Sequence, residues 1–213
     1  AIRPFGTAGM SVGAFAHGVV LATGLIVALG PQNVFIFQQG AVQPRLRRAL
    51  PTVVTAGVAD TGLILLGVLG VSVVVLEFAW LRAVMLGAGV VFLLYIGWTL
   101  VSAPALDLTA QPGELLGARA QIGFTASVSL LNPHAILETV GVIGTNALAY
   151  AVPGRWAFTG GCVLVSWAWF LGLAVAGRAV VDVAGGDGWL RRLNTVSAGI
   201  IWAVALYMSW RLL

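Results

Sequence analysis

Between Arg3 and Arg45 the chain carries no charged side chain, and the same pattern recurs along its length. Asp60 is the sole charge between Arg48 and Glu77, and Glu138 the sole charge between Arg119 and Arg155. Residues 83–106, 156–177 and 193–210 carry none. Runs of this kind cannot clothe themselves in water. Only 8% of the residues are charged and 60% are hydrophobic, whereas a soluble domain carries about 25% charged residues. Disorder, a collagen-like fibre and an ordinary soluble enzyme are excluded, and a multi-spanning membrane protein is expected.

The charges also segment the chain. Each run holds the ~20 apolar residues that a helix needs to cross hydrocarbon. Spans are expected at about 12–38, 50–76, 83–103 and 120–148, with a fifth bracketed by Arg155 and Arg178 and a sixth by Arg192 and Arg211. The period-2 alternation of a membrane β-barrel is absent from these runs. The expected fold is therefore an all-α membrane protein of six transmembrane helices. The segment Ser102–Gly117, with Pro104, Pro112 and Gly113, divides it into three-helix halves, 10–106 and 107–213. An odd number of spans per half reverses the orientation of the second, which is the arithmetic of an inverted repeat. Residues 1–9 read as a disordered extension or the remnant of an upstream start, set apart from the fold. Met10 opens a retained span without a signal-peptide cleavage site.

With the N-terminus outside, Arg45, Arg47, Arg48, Arg119, Arg178, Arg191 and Arg192 fall on the cytoplasmic side, against Arg3, Arg82, Arg155 and Arg211 outside. That bias fits the positive-inside rule and a cytoplasmic (inner) membrane of a prokaryote facing anionic lipid. It also explains the net charge of +4 without nucleic acid, for which no basic stripe with interleaved aromatics exists. Trp80, Trp156, Trp189 and Trp210 sit near span ends, as an interfacial belt requires. Trp167, Trp169 and Trp202 lie deeper, for helix packing or for stacking on a cation. The lone Cys162 reads as a small packing residue. Gly18/Ala22, Gly24/Ala28 and Gly172/Ala176 read as close helix contacts. No hydrolase elbow, phosphate loop, dinucleotide fingerprint or metal-ligand pair is present, so neither an enzyme, a cofactor nor a metal site is expected.

Two segments interrupt corresponding helices of the two halves: Gly30-Pro31-Gln32-Asn33 in the first and Asn132-Pro133-His134 in the fourth. Proline within a helix removes a donor and frees carbonyls. In hydrocarbon those groups need a protein or aqueous partner. A purely structural kink is the plain alternative. Against it stands the coincidence of two prolines, each beside an amide, in matching helices, which points to a transporter site. Asp60 and Glu138 add two carboxylates within spans, each costing about 2.5–3.5 kcal/mol to insert. No span contains Lys or Arg. Each acid must then be protonated, hydrogen-bonded, hydrated or paired with a mobile cation. His134 and Glu138 share a face on an α-helix, extended by Gly141 and Thr145. His134 there serves either as a proton relay or as a satisfied core group. His17 invites the same two readings.

Leu29-Gly30-Pro31-Gln32-Asn33-Val34-Phe35 with Gln38-Gln39-Gly40 resembles the first signature of the LysE family of amino-acid exporters. Leu131-Asn132-Pro133-His134 with Thr139 resembles its second, although Glu138 stands where the family pattern carries Asp. Asp60 matches the acidic position of the family's second helix, and Gly154-Arg155-Trp156 the opening of its fifth. The resemblance implies six helices in two inverted repeats with broken first and fourth helices, often dimeric. It also implies proton-driven export of L-lysine, L-arginine or related solutes; the wider superfamily handles neutral amino acids and metal cations too. Under it, Gln32, Asn33, Asn132 and His134 bind substrate beside the breaks at Gly30, Pro31 and Pro133. Independently of the resemblance, two carboxylates without a fixed counter-ion suit exchange, and Asp60 and Glu138 are expected to hold the substrate's cationic groups alternately with protons.

Overall fold

The computed structural model describes residues 7–26, 30–71, 115–132 and 136–184, with isolated helical positions at 84, 87, 91, 94 and 98; at 7–10, 71, 137–138 and 181–184 only the backbone is described. All regular structure among the described residues is helical: α1 (Thr7–Ile26), α2 (Pro31–Val42), α3 (Leu46–Leu66), α4 (Ala118–Leu130), α5 (Gly144–Leu148) and α6 (Val152–Ala184). Two wider, π-type windings join them, Gly67–Val71 after α3 and Leu137–Ile143 before α5. Apart from those isolated helical positions in the third, the third and sixth expected spans lie outside the described residues. Helix α1 already includes Thr7, Ala8 and Gly9, which the sequence reading set apart.

Leu46–Gly70 and Val152–Val180 are each long and apolar enough to cross a membrane, and Ser11–Ile26 with Pro31–Val42 passes the same test as one interrupted span. Helix α2 starts where local chemistry favours a start. Pro31 occupies its first turn, Gly30 is extended at φ −94° and ψ 169°, and the Val34 N–H donates to the Gly30 carbonyl at 3.1 Å. Proline is preorganised for that position and has no donor to lose there. The winding after α3 turns at Gly70, where φ is +99°. An L side chain would be strained in that conformation.

The chain forms two compact units, each drawing segments from both halves of the sequence: 1–28, 57–82 and 135–169 in the first, 29–56, 83–134 and 170–213 in the second. Apolar burial dominates the first unit. Ala14, Ala22, Ile64, Val68, Ile143, Ala147, Phe158 and Cys162 form its core. Close backbone approach makes that core possible. A methyl at Gly18 would overlap the Phe158 carbonyl, and one at Gly161 the Phe15 carbonyl, so α1 and α6 meet through glycine on both sides. Cys162 is buried beside them with its Sγ 3.5 Å from the Gly18 carbonyl, the packing role expected of it. At Gly67 a methyl would lie 3.0 Å from the Val140 carbonyl oxygen, which holds the two π-type windings together.

The second unit uses the same device between α2 and α6. A methyl at Gly40 would overlap the Ala174 carbonyl, and one at Gly177 the Phe37 carbonyl. By contrast Gly24 and Gly172, expected at helix contacts, face open space among the described residues. Small-xxx-small spacing marks helices that can approach closely. Which glycine does so is set by helix register, and that information is absent from spacing alone.

Candidate functional site

In the first unit Asp60 sits on α3, half-buried, where its Oδ2 accepts a hydrogen bond from the Ser166 hydroxyl of α6. Among the described residues no arginine pairs with it. The Ser166 Oγ also lies 3.3 Å from the Cys162 carbonyl. One hydroxyl carries one proton, so these contacts serve two protonation states. An ionised Asp60 accepts from Ser166. A protonated Asp60 can donate to Ser166, whose own proton then turns to the Cys162 carbonyl. The arrangement accommodates gain and loss of a proton without leaving a buried group unpaired.

Beside Asp60, Trp167 seals α3 against α6, meeting Gly57 one turn before the acid and Thr61 next to it. A methyl at Gly57 would lie 2.7 Å from the indole Cε2, and the indole Nε1 donates to Thr61 Oγ1 at 3.1 Å. Trp167 is thus a packing residue with a satisfied donor, the plainer of the two readings its depth allowed. Trp169 Nε1 is buried without a partner. His17 is engaged too: its Nδ1 lies 2.7 Å from the Tyr150 hydroxyl, and its ring is 5.4 Å from that of Phe158.

Glu138 belongs to the same unit as Asp60, on the winding Leu137–Ile143, and its side chain lies outside the described residues. The contact of Gly67 with Val140 brings the two acid-bearing segments together. Asp60 precedes Gly67 by about 10 Å of helix rise, and Glu138 precedes Val140 by half a turn. The π-type winding bears on the expected extension of that face: from Glu138 onward backbone bonds run i→i+5, so α-helical spacing does not carry the face to Gly141 and Thr145, and the expected pairing of Glu138 with His134 falls outside the described residues. Thr145, expected on that face, bonds instead to the carbonyls of Gly141 at 2.7 Å and Val142 at 3.1 Å. Pro133 and His134 lie outside the described residues.

Gln32, Asn33 and Asn132 belong to the second unit. Gln32 and Asn33 lie in the first turn of α2, with Asn33 buried. Asn132, also buried, follows the end of α4 at Leu130. Helices α2 and α4 run antiparallel. At one end Gln43 Nε2 donates to the Leu116 carbonyl at 3.1 Å; further along, the rings of Phe35 and Phe124 lie 4.2 Å apart. Both pairs fit one register, which places Ser129 level with Gly30 at the start of α2.

A polar network ties the other end. Gln43 Nε2 also donates to Gln39 Oε1 at 3.1 Å. Gln121 accepts from Thr52 Oγ1 at 2.9 Å and donates to the carbonyls of Arg48 at 3.0 Å and Leu116 at 2.9 Å. Arg178 donates to the carbonyls of Gln43 at 3.0 Å and Pro44 at 3.1 Å, placing a cation where the α2 dipole is negative. Sequence reasoning missed Ser166, Gln121 and Arg178. Their partners come from distant segments, and no local pattern announces them.

The profile of the LysE type translocator family matches residues 23–211. The chain is 47% identical over 199 residues to YisU of Bacillus subtilis (strain 168), a candidate amino-acid transporter by its name, covering 93% of this chain and 90% of that one. It is 32% identical to the arginine exporter protein ArgO of Enterobacter sp. (strain 638) and 30% identical to ArgO of Escherichia coli O157:H7, in both cases over 91% of this chain and 92% of the relative. No solved structure is significantly similar to it. With the family profile spanning most of its length and apolar helices of membrane length in its fold, this chain belongs to the LysE type translocators, which are transporters and not enzymes.

Proposed function

We propose that the protein exports basic amino acids, L-arginine or L-lysine, across the cytoplasmic membrane by alternating access coupled to protons. The observation that carries this reading is Asp60: a carboxylate within a helix of membrane-spanning length, held among the described residues by a hydroxyl and not by an arginine. A fixed cation would neutralise such a group permanently. A serine leaves it open to a proton or a mobile cation in turn. The similarity to proteins named as arginine exporters supports the choice of substrate.

The energetics favour exchange. A basic amino acid leaves as a monocation against an inside-negative potential, which costs about 2.3 kcal/mol per 100 mV. Inward movement of one proton per exported cation cancels that charge movement. Asp60 and Glu138 serve as the groups for which proton and substrate cation compete. The first turn of α2, with Gly30, Pro31, Gln32 and Asn33, and the segment Asn132-Pro133-His134 serve the substrate's polar backbone groups, helped by the positive end of the α2 dipole. Six spans in two inverted repeats supply the two access states.

Counterflow of labelled arginine in proteoliposomes under an imposed pH gradient tests the proposal. Proton-dependent flux is expected, and Glu138→Gln is expected to uncouple it. Absence of flux for both arginine and lysine would refute the reading, and unchanged proton-dependent flux in Glu138→Gln would remove that residue from it.

A further inference from the structure

Hydroxyls on apolar helices normally return their proton to the carbonyl one turn back. Seven here do so: Thr23, Thr55, Thr61, Ser127, Thr145, Thr159 and Ser166 bond the carbonyl four residues earlier. Thr125 and Ser129 break that habit. Each is 1% exposed, yet Thr125 Oγ1 and Ser129 Oγ have no hydrogen-bond partner. A third orphan, the buried Gln32 Nε2, lies in the first turn of α2. Leaving one such group unpaired costs about 1–3 kcal/mol, and three of the five buried orphans among the described residues belong to α2 and α4 of this unit, the other two being Arg155 Nε and Trp169 Nε1 on α6 in the first unit.

The antiparallel register of α2 and α4, set by Gln43 against Leu116 and Phe35 against Phe124, puts Ser129 level with Gly30 and Thr125 level with Val34. Thr125 and Ser129 are four apart on α4 and lie on one face. Gly30 caps α2 without a side-chain hydrogen bond, so the helix presents its positive dipole end at the same level. Three donors and a helix N-terminus suit an anion of small size. We infer that Thr125 and Ser129 are substrate-binding residues, donating to the α-carboxylate of an amino acid held at the start of α2. The inference rests on the proposed amino-acid export and extends it, because the substrate class becomes α-amino acids in general at this end, with the side chain read elsewhere. A carboxylate supplies four lone-pair sites, enough for all three orphans.

Equilibrium binding to the purified full chain tests it, with L-arginine, L-leucine and agmatine, which is arginine without its carboxylate. Wild-type protein is expected to bind agmatine at least about tenfold more weakly than L-arginine, as the loss of charge-assisted hydrogen bonds implies. Thr125→Val and Ser129→Ala are expected to weaken L-arginine at least about tenfold and leave agmatine unchanged, whereas Thr125→Ser and Ser129→Thr retain affinity. Equal wild-type affinity for arginine and agmatine, or variants that shift both ligands equally or neither, overturns the inference and leaves amino-acid export standing. Failure of the wild-type protein to bind either amino acid overturns both.

Discussion

The two units handle buried polarity in opposite ways. In the first, the described core is apolar, and the buried polar residues are Thr159 and Ser166, both bonded. In the second they are Asn33, Gln38, Gln39, Gln43, Thr52, Gln121, Thr125, Ser129 and Asn132. A low-dielectric interior strengthens every hydrogen bond and penalises every missing one. The first unit therefore sets Asp60 beside a largely apolar core, with Ser166 as its hydrogen-bond partner among the described residues, a setting in which a proton and a cation can compete for it. The second spends polar groups in two places: a closed network at the Gln43 end of α2 and unpaired donors toward its start. A rigid end and a receptive end on one helix is the arrangement expected of a ligand site built on a fixed support.

The largest effect that would break this comparison belongs to Asp60. Asp60→Asn keeps the shape and the hydrogen bond to Ser166 but cannot cycle a proton. Proton-dependent arginine flux in proteoliposomes should fall about 10- to 100-fold, on the scale of a lost charged interaction. Flux that persists with its pH dependence intact would show that the carboxylate is structural. Next comes the closed network. Gln121→Leu leaves the Thr52 hydroxyl buried without its acceptor and removes a donor from the carbonyls of Arg48 and Leu116, the latter keeping Gln43. Thermal unfolding should register a loss of about 2–3 kcal/mol.

Helix contacts give a smaller and internally controlled effect. Gly40→Ala and Gly177→Ala each drive a methyl into a backbone carbonyl and should destabilise by about 1–3 kcal/mol. Gly172→Ala enters open space, replaces a poor helix former and should be neutral or slightly stabilising. Equal melting temperatures for Gly40→Ala and Gly172→Ala would contradict the close approach of α2 to α6.

How far the residues announced this fold depends on how local each signal is. The apolar runs of α3 and α6 were legible because a charge at depth is costly, and Arg48, Asp60, Arg155 and Arg178 therefore bracket or mark them. Gly30-Pro31 advertised a helix start because proline tolerates the first turn of a helix. The partner of Asp60 was not legible: Ser166 stands 106 residues away, and only the packing of α6 on α3 joins them. The winding at Leu137–Ile143 escaped notice because one inserted residue per turn leaves no mark in composition. Nor could spacing tell Gly40 from Gly24, since both look like small residues on an apolar face. Nothing in the sequence separates Thr125 and Ser129 from the seven helical hydroxyls that bond their own helix, because the difference lies in which carbonyl each can reach.

Adjacent residues of α6 offer the finest distinction. Ser166 and Trp167 both reach α3, Ser166 to Asp60 and Trp167 to Thr61. If the first unit isolates a working carboxylate, the two bonds differ in kind although they are alike in strength. Ser166→Ala removes a donor worth about 1 kcal/mol, which should lower proton-dependent flux about fivefold and change its pH profile, with little effect on unfolding. Trp167→Phe keeps most of the ring against Gly57 and loses only the bond to Thr61. It should lower the melting temperature by about 2–4 °C for a chain of this size while the pH profile of flux stays where it was. A pH profile that moved with Trp167→Phe and not with Ser166→Ala would place the proton's path along the indole side of α3, away from the serine.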